Sequence, residues 1–128
     1  MINRRAELCR GTERSNCLVT AWYLTGEQKK DYYIDPFVEM TLNSLKVAKD
    51  PSLGCLIAWL TKRSECVYIT HIGVVTSLNP LLVTHREGAE GYFIENQTFD
   101  AVKESYADFN RHGWIAYYLP NALRAAQK

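Results

Sequence analysis

Three side chains in this sequence could act on one another: Cys17, His71 and His85. A thiol attacks a carbonyl as thiolate, and a helix N-terminus combined with an imidazole partner generates one near neutral pH. The segment Arg14-Ser15-Asn16-Cys17-Leu18-Val19-Thr20-Ala21-Trp22 supplies the first half of such a pair. Ser15 or Asn16 can accept from the orphan amides of a first helical turn, which puts Cys17 near the positive end of the macrodipole. Gly26, after Leu24-Thr25, offers a left-handed stop. Each residue also has a plainer role: a cysteine at a helix start is ordinarily a small hydrophobe, and a histidine on a strand an ordinary core or surface residue. The three gain weight together, because their geometry has to agree.

The histidines must be positioned by strands. Tyr68-Ile69-Thr70-His71-Ile72-Gly73-Val74-Val75-Thr76 is rich in β-branched residues and reads as a strand. Ser77-Leu78-Asn79-Pro80 is turn chemistry, Leu81-Leu82-Val83-Thr84-His85 a second strand, and Arg86-Glu87-Gly88 its close. Placing His71 opposite His85 sets Val75 against Leu81, with a loop over 76–80 that absorbs Pro80, a residue unable to donate to the ladder. A slip of one residue would turn His85 to the other face. In that register His71 is the general base touching the thiol, and His85 orients it through its other ring nitrogen. Gly73 lies on the same strand face as His71, where glycine marks close approach by a backbone or ligand, or else a bulge.

The chain has 128 residues, 47% hydrophobic and 23% charged, enough for one core and too few for two, so a single domain over 1–128 is expected. A net charge of +1 leaves no electrostatic footprint for nucleic acid or an anionic membrane. No apolar run reaches the length of a membrane span. The opening Met1-Ile2-Asn3-Arg4-Arg5-Ala6-Glu7 has no apolar stretch behind its basic residues, so the expected location is the cytoplasm, or export by a route that reads no such signal. Cys9, Cys17, Cys55 and Cys66 lack the paired spacing of a zinc site and are expected as free thiols, Cys55 in the core. A mixed metal site of Cys17, His71 and His85 would lack a further ligand at any recognisable spacing, so no metal and no cofactor are expected.

Along the chain, residues 4–11 read as a short helix or arm, 16–25 as the capped helix, and Asp35-Pro36 as the opening of another helix with Phe37, Met40 and Leu45 on its stripe. Asp50-Pro51-Ser52-Leu53-Gly54 is a turn, and Cys55 to Leu60 has the length of a buried strand. Tyr92 to Asn96 is a short strand. Thr98 caps a helix with Phe99, Val102, Tyr106 and Phe109 on one face, Trp114 to Leu119 is the last strand, and Pro120 starts a short helix. Helices first and an antiparallel sheet after make this an α+β chain.

In this order of parts the chain resembles the NlpC-type branch of the papain-like cysteine peptidases. Asn16-Cys17 stands where that family has its nucleophile, and Leu53-Gly54-Cys55-Leu56-Ile57-Ala58-Trp59 where it has a strand led by Gly-Asp. His71-Ile72-Gly73-Val74-Val75 matches its His-x-Gly strand, and Leu82-Val83-Thr84-His85 the strand bearing its third polar residue. The likeness runs from about residue 12 to residue 119, departing at Leu18, usually small and hydroxylated, and at Cys55, usually Asp. It implies a papain-like fold in which N-terminal helices carry the cysteine and pack on a central antiparallel sheet carrying the histidines. It further implies hydrolysis of amide bonds in peptidoglycan stem peptides through a thioester. A lone catalytic domain without wall-binding domain or export signal is similar to injected amidase effectors, whose partner would be an inhibiting immunity protein, and to wall-recycling enzymes. Arg14, Asn16, Gly73 and Arg86 are the candidate substrate-binding positions. Lys62 is a further cation that could fix a carboxylate; a solvated surface charge is the alternative for each of the three cations. Two other functions fit the same parts: an idle papain-like binding module, and an acyltransferase or amidase acting on lipid or a small amide.

Overall fold

The computed structural model describes residues 6, 17–25, 46–63, 66–87, 92–106 and 113–120. The arm expected at 4–11, apart from the buried Ala6, lies outside these residues, as do the helix opened by Asp35-Pro36 and the helix after Pro120.

The elements in chain order are α1 (Cys17–Leu24), β1 (Lys46–Ala48), β2 (Leu56–Arg63), β3 (Cys66–Leu78), β4 (Leu81–Arg86), β5 (Phe93–Thr98), α2 (Phe99–Ser105) and β6 (Trp114–Leu119). The strands form one six-stranded sheet in the order β1-β6-β2-β3-β4-β5, antiparallel throughout, which makes the chain α+β as expected. The Leu56–Leu60 part of β2 is apolar without interruption because both of its faces are covered. Leu56, Ala58 and Leu60 join Ile72 and Val74 of β3 under Ala21 and Leu24 of α1. Cys55, Ile57 and Trp59 join Val75 and Val83 under Val102, Phe99 and Tyr106 on the other side. Among the described residues, α1 lies over β3 and β4 on one face and α2 over β4 and β5 on the other.

The Thr98 cap works as the sequence implies. Thr98 is extended (φ −61°, ψ 143°) and its hydroxyl accepts from Ala101 N, which starts α2. That helix closes at Ser105 with Tyr106 as its cap, and Phe109 lies outside the described residues. β1 corrects the sequence reading, which had no strand there: it lines the edge by pairing Lys46 with Leu119 and Ala48 with Tyr117. A strand of three residues is too short to show a period. No helix among the described residues is long and apolar enough to cross a membrane.

The hairpin of β3 and β4 also departs from expectation. Val75 pairs with Val83 rather than Leu81, and Leu78 pairs with Leu81, so Ser77 and Leu78 belong to the strand and Asn79-Pro80 make the turn. A bulge between Val75 and Ser77 absorbs the odd residue. It restores the parity that a bare shift would have broken.

Candidate active site

His71 stands directly across from Trp59, on the face covered by α2, while its neighbour Ile72 faces α1. Continuing the Val74–Thr84 pairing sets His85 beside Gly73, not beside His71 as the sequence register had it. The two rings nevertheless meet diagonally. His71 Nε2 lies 2.8 Å from His85 Nδ1, with the ring planes at 87°. Gly73 makes the crossing feasible: a Cβ there would sit 2.5 Å from Val83 Cγ1 and 3.1 Å from His85 Cβ. The close approach that Gly73 signals is thus made by Val83, Thr84 and His85 of the neighbouring strand.

A further residue, unforeseen in the sequence, extends the pair. Gln97 of β5 pairs across from Val83 and brings Oε1 within 2.6 Å of His85 Nε2. Its place depends on a bulge between Val83 and His85, where Asn96 takes φ 53°, a left-handed value that asparagine tolerates better than most residues. Asn96 N donates to Thr84 Oγ1 at 3.0 Å, and Thr76 Oγ1 donates to Asn96 Oδ1 at 2.7 Å, so the two irregularities of β4's neighbours are tied together. The signal available in the sequence was indirect: Thr98 as a helix cap leaves Gln97 as strand, whereas the expected strand stopped at Asn96.

Aromatic rings pack against His71. Tyr106 stacks on His71 at 3.9 Å between centroids and 11° between planes. Trp59 lies 5.6 Å from His71 and is itself stacked by Phe99 at 6.1 Å. His71 is wholly buried and His85 is 3% exposed. Burial, with His85 as an adjacent positive charge when protonated, pushes His71 well below the ordinary 6.5. Burial lowers His85 too, opposed by its hydrogen bond to Gln97 and by the Glu87 carboxylate. Both shifts favour the neutral imidazole at pH 7. His71 Nδ1 and Trp59 Nε1 are buried without a hydrogen-bond partner among the described residues.

Cys17 begins α1, as the capping residues imply, and its thiol lies outside the described side chains. The body of α1 covers the sheet face opposite the imidazoles, so the structure brings His71 and His85 together but does not bring α1 to their side. Arg86 is neither a solvated charge nor open to substrate: it is 1% exposed, donates from Nε to Thr20 Oγ1 at 2.8 Å, and lies over the Phe93 ring. It ties β4 to α1. Lys62 is exposed on β2, and Arg14 and Asn16 lie outside the described residues. Cys55 is no substitute nucleophile. It is fully buried, aligned with Val75 rather than His71, and burial pushes its thiol above the ordinary 9.0, which keeps it protonated. No three His, Cys, Asp or Glu side chains among the described residues are grouped to hold a metal ion. Compared with family models, curated proteins and solved structures, the chain matches none.

Proposed function

We propose that the protein is a thiol-dependent hydrolase of amide bonds, of the papain-like NlpC type, with Cys17 as nucleophile, His71 as proton acceptor and His85 as the group that orients it. The observation that carries the proposal is the unpartnered, buried Nδ1 of His71, at the head of a hydrogen-bonded chain through His85 to Gln97. A general base needs one open nitrogen and one anchored nitrogen, and His71 has both. In the reaction His71 Nδ1 takes the thiol proton and the sulfur attacks the carbonyl carbon. The imidazolium returns that proton to the departing amine as the C–N bond breaks, leaving a thioester on Cys17. Water, deprotonated by the same nitrogen, cleaves the thioester, releasing the acid and restoring the thiol. Burial lowers the His71 pKa, which favours the neutral ring that can receive a proton. The substrate class, amide bonds of peptidoglycan stem peptides, follows from the resemblance of the motifs.

The proposal requires the Cys17 sulfur to meet His71 on the α2 face. The seat of α1 on the other face favours a second reading, an idle papain-like binding module whose buried histidines serve packing. Incubation of purified stem-peptide muropeptides with wild type, Cys17→Ala and His71→Gln separates the two. Cleavage by wild type alone, with a mass adduct on Cys17, supports the hydrolase. Cleavage that survives Cys17→Ala removes the thiol from the chemistry, and a folded wild type that cleaves nothing favours the binding module.

A further inference from the structure

We infer that Gln97 is a positioning residue whose amide oxygen fixes the tautomers of both imidazoles, so that Nδ1 of His71 carries a bare lone pair. The tautomer chain stands on hydrogen-bond geometry between neutral rings; only its catalytic consequence rests on the hydrolase reading.

An amide oxygen can only accept, so His85 Nε2, 2.6 Å from Gln97 Oε1, must donate its N–H. A neutral imidazole holds one N–H, which leaves His85 Nδ1 bare. That nitrogen then accepts from His71 Nε2 at 2.8 Å, and the proton spent there leaves His71 Nδ1 bare in turn. Two neutral rings in contact through these atoms have just two arrangements, both protons directed toward Gln97 or both away from it. The second would present the Gln97 amide nitrogen to His85 and strand an N–H on His71 Nδ1, which has no acceptor among the described residues. Gln97 selects the first. The Asn96 bulge, pinned by Thr76 and Thr84, holds the glutamine at the right height on β5. One neutral amide, two strands from His71, thus decides which nitrogen of His71 can take a proton.

The test is a long-range proton–nitrogen NMR correlation of the histidine rings in the full chain at neutral pH, with wild type, Gln97→Glu and Gln97→Leu. Wild type is expected to show the Nε2–H tautomer on both His71 and His85. Gln97→Glu keeps the acceptor and adds a charge, so it should preserve both tautomers and move the His85 titration upward. Gln97→Leu removes the acceptor and should give mixed tautomers on both rings, an effect that a merely space-filling role would not produce. Nδ1–H tautomers in wild type, or an unchanged pattern in Gln97→Leu, would overturn the inference. If the leucine variant does not fold, the wild-type pattern and the direction of the Gln97→Glu shift still decide. No substrate enters the measurement, so the expected tautomers in a protein that cleaves nothing would sink the hydrolase reading and leave the role of Gln97 intact.

Discussion

His85 reaches His71 by crossing Gly73: its Nδ1 ends 2.8 Å from His71 Nε2, over a position where a Cβ would stand 3.1 Å from the Cβ of His85. The pair is diagonal, and the missing side chain at 73 is what lets the second ring lie across the first strand. A directly opposed pair would not have needed a glycine.

Gly73→Ala is therefore expected to damage both the fold and the pair. The added carbon would meet Val83 Cγ1 at 2.5 Å and Thr84 O at 3.2 Å, and neither a β-branched side chain nor a backbone oxygen yields easily. Overpacking of this kind costs about 1–3 kcal/mol. A lowered urea midpoint together with a changed His85 ring resonance is the expected result. An unaltered midpoint would mean that β3 and β4 can separate at no cost.

The local parts of this arrangement were legible in the sequence, and the parts set by a third strand were not. Trp114–Leu119 and the Thr98 cap announce themselves through local composition and capping chemistry. The shared face of the two histidines also followed from alternation along the strands. Their register did not, because the bulge at Thr76 depends on hydrogen bonds that reach Asn96 from a strand later in the chain. Gln97 was hidden for the same reason. The seat of α1 was hidden differently: Leu56, Ala58 and Leu60 on one face of β2 are as apolar as Ile57 and Trp59 on the other, so the sequence does not say which face a helix will cover.

Acid should destabilise the protein through the histidine pair. Both rings have lowered pKa values in the folded state, whereas the unfolded chain titrates near the ordinary 6.5. Below that value the unfolded state binds more protons than the native one, so stability is complete above 6.5 and is lost as pH falls. Each ring contributes a slope of up to about 1.4 kcal/mol per pH unit. Thermal melts from pH 7.5 to pH 5 should fall steeply in wild type and less steeply in His85→Gln. A flat wild-type profile would show that the pair is hydrated.

Thr20→Val should loosen α1 without touching the imidazoles. It removes the acceptor 2.8 Å from the Nε of the buried Arg86. Weakening the bonding of a buried charged group costs about 1–3 kcal/mol. Chemical denaturation should register that loss while the histidine spectra stay as in wild type. Full stability would mean that the other contacts of Arg86 hold the helix unaided.

Tyr106→Ala should uncover His71. The phenol ring stacks on the imidazole at 3.9 Å, a contact worth about 0.5–1.5 kcal/mol beyond its area. Carbethoxylation by diethyl pyrocarbonate, mapped by mass spectrometry, should reach His71 faster in the variant than in wild type. Equal rates would show that α2 does not guard that face.

The pairing of Cys17 with His71 is decided most directly by the rate at which iodoacetamide alkylates Cys17, followed from pH 5 to pH 9 in wild type and His71→Gln and mapped by mass spectrometry. If His71 Nδ1 receives the thiol proton, Cys17 reacts faster in wild type than in His71→Gln at and below neutral pH, and the two profiles converge once solvent alone ionises the thiol. Superimposable profiles across the whole range would contradict the pairing, as expected of a thiol kept from the imidazole by the sheet between them.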